Sequence, residues 1–158
     1  MKTTKFTKLI FAAVSVFALA ACGGSTEVDP RDQFVGGYTY GSTGKAEIVV
    51  GPLKYNIPLD ETGTFTISKV GNQDKVMLVG YNDTINATVS GNQLILESNV
   101  VYTKVSGIDV QLTFNYDKAT LVENQLSWNS DVKAYATYSG YAVAGTGSVS
   151  VVATKQLK

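Results

Sequence analysis

From Tyr38 onward, apolar and polar residues alternate with a period of two, and Gly, Asn, Asp or Pro interrupts them at short intervals. This pattern predicts strands with one dry and one wet face, joined by tight turns. Ala46, Ile48 and Val50 alternate with Lys45, Glu47 and Val49; Gly51-Pro52 turns the chain, and Tyr55, Ile57 and Leu59 alternate back. That is a hairpin, and Pro58, which lacks an amide donor, places its second strand at a sheet edge or a bulge. Asp60 to Gly63 bends the chain into a strand with Phe65 and Ile67 inward. Gly71-Asn72-Gln73-Asp74, Asn82-Asp83 and Ser90-Gly91-Asn92 then separate further strands, the last returning through Leu94 and Leu96. The cleanest alternation puts Ile108, Val110, Leu112, Phe114 and Tyr116 on one face. Asp117-Lys118 and Glu123-Asn124 lead into a strand carrying Leu126, Trp128, Val132 and Ala134 on one side, and a Val-rich strand over about 145–155 closes the chain.

Thr88 to Ser98 lines up with Thr120 to Ser130, each reading strand, turn, strand. One repeated hairpin is too little for a solenoid or propeller, but it is what an up-and-down sheet uses. Antiparallel strands in sequence order hide their edges by closing into a barrel or splitting into a sandwich. The turns are short, and no long crossover of the Greek-key kind is visible. The fold expected is therefore all-β, an antiparallel up-and-down barrel of about 8–10 strands. About eight strands leave an interior that side chains fill or that holds one small ligand.

The N-terminal segment follows different rules. Lys2, Lys5 and Lys8 precede an apolar run from Leu9 to Ala21, too short for a permanent membrane helix and patterned as a secretion signal. Leu19-Ala20-Ala21-Cys22-Gly23 resembles the bacterial lipobox, with the chain's only cysteine at the cleavage point. The expected organisation is a lipoprotein signal peptide over 1–21, a lipidated tether over 22–28 and a single barrel domain over 29–158. Two or more acyl chains on Cys22 would hold the protein stably to a bilayer. Gly23 after the cysteine, in place of an inner-membrane-retaining aspartate, implies the outer membrane; Glu27 and Asp29 leave open whether the protein faces the periplasm or the medium. Asp29 to Val35 is expected to form a short helical turn, with Asp29 capping and Pro30 in the first helical position.

Composition narrows the chemistry. There is no histidine, and the lone thiol would be consumed by lipid, which removes Ser-His and Cys-His catalysis, the usual zinc ligand sets and any disulfide framework. No cofactor is expected and an enzyme is disfavoured. Three of the thirteen basic residues lie in the signal, leaving ten against thirteen acids. That balance does not attract nucleic acid. The 137 residues from Cys22 onward are enough for one core.

The aromatic set is the leading site candidate: Tyr81, Tyr102, Tyr116, Trp128, Tyr135, Tyr138 and Tyr141 could line a cavity mouth and meet an apolar ligand or a sugar face. The alternative puts Phe65, Phe114 and Trp128 in a solid core, with the tyrosines at strand ends. Acidic residues such as Asp60-Glu61, Asp109, Asp117 and Asp131 read as solvated turn or polar-face carboxylates rather than a glycosidase pair, and are too scattered for a calcium loop. Asp83-Thr84-Ile85 resembles a bacterial O-glycosylation triplet with Thr84 as acceptor. Gly36-Gly37 and Gly145-Thr146-Gly147 lack the helix and lysine of a phosphate-binding loop.

The run Asp29-Pro30-Arg31-Asp32-Gln33-Phe34-Val35-Gly36-Gly37-Tyr38, the lipobox upstream and the Thr-Val-Ser-Gly-Asn-Gln-Leu strand pair resemble small lipocalin-like or calycin-like lipoproteins of Gram-negative gut commensals. The resemblance implies an N-terminal turn running into an up-and-down barrel. Lipocalins proper place Gly-X-Trp where this chain has Gly36-Gly37-Tyr38, and no downstream arginine offers their stacking partner. The functional expectation is a non-enzymatic, membrane-anchored barrel that takes a small apolar or glycan ligand. A solid-cored structural module meeting another envelope protein is the alternative.

Overall fold

The computed structural model describes residues 28–71, 74–80 and 83–157. The segment expected to be a signal peptide, Cys22, most of the expected tether and Tyr81 lie outside the described residues. Eleven antiparallel strands form one sheet: β1 (Gly36–Val50), β2 (Leu53–Pro58), β3 (Glu61–Lys69), β4 (Lys75–Val79), β5 (Thr84–Ser90), β6 (Gln93–Leu96), β7 (Asn99–Val105), β8 (Ile108–Tyr116), β9 (Ala119–Val122), β10 (Gln125–Tyr138) and β11 (Tyr141–Lys155). Eight of them, β1, β3, β4, β5, β6, β9, β10 and β11, close into a barrel, because β11 pairs with both β10 and β1.

The three additional strands continue barrel strands beyond the closed ring. β2 and β3 lie in tandem along β1 in one unbroken register, Lys45 opposite Pro58 and Ser42 opposite Glu61. β6 and β7 likewise follow β9 and β8 without a slip, from Leu94 opposite Ala119 to Asn99 opposite Phe114. Against β10, however, the β8–β9 segment carries one extra residue. Ser130 faces Tyr116 and Ser127 faces Thr120, so the chain bulges at Asp117-Lys118, where the Asp117 amide donates to the Asn129 carbonyl at 2.8 Å. With these interruptions bridged, the molecule is an eight-ribbon up-and-down meander in sequence order.

Its two ends differ. At one end the ring is complete, and Tyr38, Ile67, Val76, Leu94 and Leu126 are fully buried inside it. Asp29–Val35 folds over this end as a run of turns; no helix occurs among the described residues, because the Gly36-Gly37 step commits the chain to β1 after a single i→i−4 bond, Val35 amide to Arg31 carbonyl at 3.2 Å. Asp29 does cap, accepting from the Arg31 amide at 3.0 Å, and it also holds the Arg31 and Lys69 side chains at 2.7 and 2.9 Å. These cations keep the Asp29 carboxyl well below the usual carboxylate range, the hydrogen bond from Arg31 most of all. Phe34 is the plug, with no exposed surface. Its carbonyl accepts from the Tyr38 hydroxyl at 2.8 Å, and the Tyr38 ring stacks on Phe65 at 5.2 Å.

At the other end, β4 and β5 are only 5 and 7 residues long, so the wall above their hairpin is missing. The sheet there has six strands, β2-β1-β11-β10-β8-β7, and two unpaired edges, β2 and β7. Pro58 sits on the β2 edge. The neighbouring Leu59 amide bonds to Gly44 of β1 at 3.0 Å, which aims the Pro58 nitrogen at the open side, where no donor is required. Here β11 pairs with β1 through glycines, Gly147 opposite Ala46 and Gly145 opposite Ile48. A Cβ at Gly147 would lie 2.1 Å from the Lys45 carbonyl oxygen, and one at Gly145 1.9 Å from that of Glu47.

Candidate ligand-binding cleft

The missing wall opens a lateral cleft of about 410 Å³ into the barrel, within the range of small-molecule sites. Its rim comes from the β2–β3 corner, the β4–β5 turn and the β7 edge; its back is formed by the inward residues of β10 and β11, directly across the barrel from the gap. Alternation puts Leu126, Trp128, Ser130, Val132 and Ala134 of β10 on the inner face. Trp128 and Ser130 reach the cleft, and Val149 and Val151 of β11 stand beside them as cross-strand partners.

Aromatic rings form much of the lining. Phe65 separates the closed core from the cleft, stacking on Tyr38 below and meeting Trp128 edge-on at 6.3 Å and Tyr40 at 5.8 Å. Gly63, opposite Tyr40 on β3, leaves room for the Tyr40 ring, which would stand 2.8 Å from a Cβ there. On the other side, Phe114 and Tyr116 stack at 6.2 Å. Burial pushes the Tyr116 hydroxyl up to about 12. The Tyr40 hydroxyl is also raised, by burial first and then by the Glu61 and Asp83 carboxylates beside it.

Two polar atoms at the back of the cleft have no protein partner, Nε1 of Trp128 and Oγ of Ser130. Their residues are 9% and 1% exposed. A buried donor left unsatisfied costs roughly 1–3 kcal/mol, and both residues that carry one line the cleft. The exposed carboxylates of Asp60, Glu61 and Asp83 stand at the rim. Among the described residues no three acidic side chains gather closely enough to share a metal ion.

The structure brings two of the candidate aromatics, Tyr116 and Trp128, into this cleft. Tyr102 and Tyr135 are on outward positions of β7 and β10, and Tyr138 and Tyr141 are at the tip of the β10–β11 hairpin; they are 76%, 46%, 38% and 76% exposed, and none of them lines the cleft. Tyr81 lies outside the described residues. Thr84 is exposed at the start of β5, next to the rim residue Asp83. Sequence reasoning missed Tyr40, Ser130 and the rim role of Asp60, Glu61 and Asp83. Ser130 carried a signal, being the one polar residue on the dry face between Leu126 and Ala134. The rim acids carried none, since nothing local distinguishes a turn carboxylate at a cleft from one in open solvent.

No family model matches the chain, and no curated protein matches it. Among solved structures, the crystal structure of ywiB protein from Bacillus subtilis is similar over 77% of this chain and 94% of that one, with 14% identity and a TM-score of 0.32.

Proposed function

We propose that this protein is a non-enzymatic, lipid-anchored outer-membrane barrel, of the lipocalin-like kind, that holds a small ligand in its lateral cleft. The observation that carries the reading is the cleft itself: about 410 Å³, walled by aromatic rings, with two unpartnered polar atoms at its back. A solid barrel would have no use for Trp128 Nε1 and Ser130 Oγ on an inner face, whereas a few fixed polar groups in an apolar pocket are what orient a small molecule. Such a ligand has an apolar body or a sugar face and at least one hydrogen-bond acceptor.

Anchoring suits this geometry. The Asp29–Val35 turn is tied to the closed end, with Gln33 donating to the Gly91 carbonyl at 2.7 Å and Lys155 donating to the Gln33 carbonyl at 2.8 Å. A tether from Cys22 would therefore draw the closed end toward the bilayer and leave the cleft away from it.

Native mass spectrometry of the protein purified from its own producer tests both halves. The expected result is an acylated Cys22 and a co-purifying small molecule that disappears when Val101→Trp fills the cleft. An unacylated protein would remove the anchor, and no retained or stabilising small molecule would remove the ligand. A second reading, an interaction module for an envelope protein, draws on the unpaired β7 edge, where Tyr102 and Val100 are exposed. Strand addition to that edge is the mode it would use.

A further inference from the structure

We propose that the cleft selects organic cations: molecules with an ammonium-type head held at the rim, an apolar body against the aromatic walls and an oxygen acceptor at the inner end. This rests on the ligand-binding reading above and specifies the ligand class.

Three observations converge. First, the rim has one sign of charge. Asp60, Glu61 and Asp83 line the opening from two different turns, and no lysine or arginine is among the residues lining the cleft. Among the described residues, ion pairs engage other acids, Glu47 with Lys54, Asp109 with Lys104, and Asp29 and Asp32 with Lys69, but none of the three at the rim. A cleft lined by charges of one sign with low-dielectric walls focuses their field into its mouth.

Second, the walls suit a cation. Tyr40 and Tyr116 line the same space as Trp128, Phe65 and Phe114, and the faces of such rings attract ammonium groups, most strongly where water is excluded. Third, the inner end offers donors. The Trp128 indole N–H can only donate and the Ser130 hydroxyl can do so, so together they complement a carbonyl, ether or hydroxyl oxygen. The rim carboxylates are exposed, and the two donors are buried on the opposite wall, so a bound molecule would be oriented head outward. Fatty acids and other carboxylate-headed amphiphiles would meet repulsion at the rim.

Trp128 is the only tryptophan in the chain, so its fluorescence reports the cleft. The test uses 4-phenylbutylamine, 4-phenylbutanol and 4-phenylbutyrate, which share a body and differ in head charge, titrated at neutral pH and low salt. The amine is expected to bind about tenfold or more tighter than the alcohol, with the carboxylate weakest. That preference should shrink in high salt and fall toward one in the combined Asp60→Asn, Glu61→Gln, Asp83→Asn variant. Asparagine at position 60 retains the oxygen that accepts from the Gly44 amide at 2.9 Å. Alcohol or carboxylate binding as tightly as the amine, or an amine preference indifferent to salt, overturns the cation assignment while the cleft still binds. Absence of binding by all three overturns the ligand-binding reading as well.

Discussion

The closed and open halves of this barrel are built from the same alternating strands and behave as different materials. In the closed half every ribbon has two neighbours, and Phe34, Tyr38, Ile67 and Leu126 pack with no exposed surface. In the open half β2 and β7 each have one neighbour, and the inward residues of β7, Asn99 to Val105, are only half-buried. The difference comes from strand length rather than strand chemistry. β4 and β5 stop at Val79 and Thr84, while β1, β10 and β11 run on for 14 or 15 residues. A barrel can therefore be made into a cleft by shortening one hairpin, with the complete ring below serving as the rigid base that a binding site requires.

The contrast can be broken most strongly by truncating one β-branched aliphatic side chain in each half, Ile67 having one carbon more than Val101. Ile67→Ala in the closed half should cost about 3 kcal/mol, because it leaves a cavity that the surrounding strands cannot collapse into. Val101→Ala at the cleft should cost about 1 kcal/mol or less, since water already reaches its side chain. Urea unfolding of the two variants measures the difference. Equal losses would mean that the two halves are equally packed.

Ser130→Ala sharpens the comparison with a smaller effect. Removing a buried hydroxyl without a protein partner should leave stability unchanged or raise it by up to about 1 kcal/mol, whereas deleting a satisfied one would lower it by a similar amount. A denaturation midpoint that falls would show that Ser130 has a structural partner. Ligand affinity should fall in the same variant.

The smallest effect concerns alkaline pH. Burial raises Tyr38 in the closed half and Tyr116 at the cleft, both to about 12 from a usual value of 10. Above pH 10 the unfolded chain therefore releases protons that the folded chain keeps. The folded state then binds more protons, and stability falls as pH rises through this window. Tyr116→Phe should reduce the fall seen in thermal midpoints between pH 9 and 11. A variant that tracks the wild type would place the Tyr116 hydroxyl in water.

Much of this fold was legible in the residues. The period-two pattern of Ile108 to Tyr116 and of Leu126 to Ala134 correctly assigned the inner faces of β8 and β10, and Pro58 marked an edge strand. The paired hairpins ending in Asn92 and Asn124 even share a tertiary bond, each asparagine carbonyl accepting from the next ribbon, Leu121 and Lys155, at 2.9 and 2.7 Å. β7 escaped notice because its alternation of Asn99, Val101, Thr103 and Val105 with Val100, Tyr102 and Lys104 mixes polar and apolar residues on both faces. That mixture is itself the mark of an edge strand beside a half-wet cleft.

The cleft was only partly legible. Tyr116 and Trp128 were among the candidate aromatics, but so were four exposed tyrosines, Tyr102 and Tyr135 on outward positions and Tyr138 and Tyr141 at a hairpin tip, because ring chemistry alone records neither the face nor the distance from the cleft.

By itself the sequence determined the strands, their faces and their order, since alternation and turn residues act over a few positions and need no distant partner. Only the tertiary structure decided that the wall above β4 and β5 is absent, that Asp60, Glu61 and Asp83 meet at one rim, and that Trp128 and Ser130 face it. Those relations join residues up to seventy positions apart. They depend on how far each ribbon extends once the ring has closed, a length that no local pattern records.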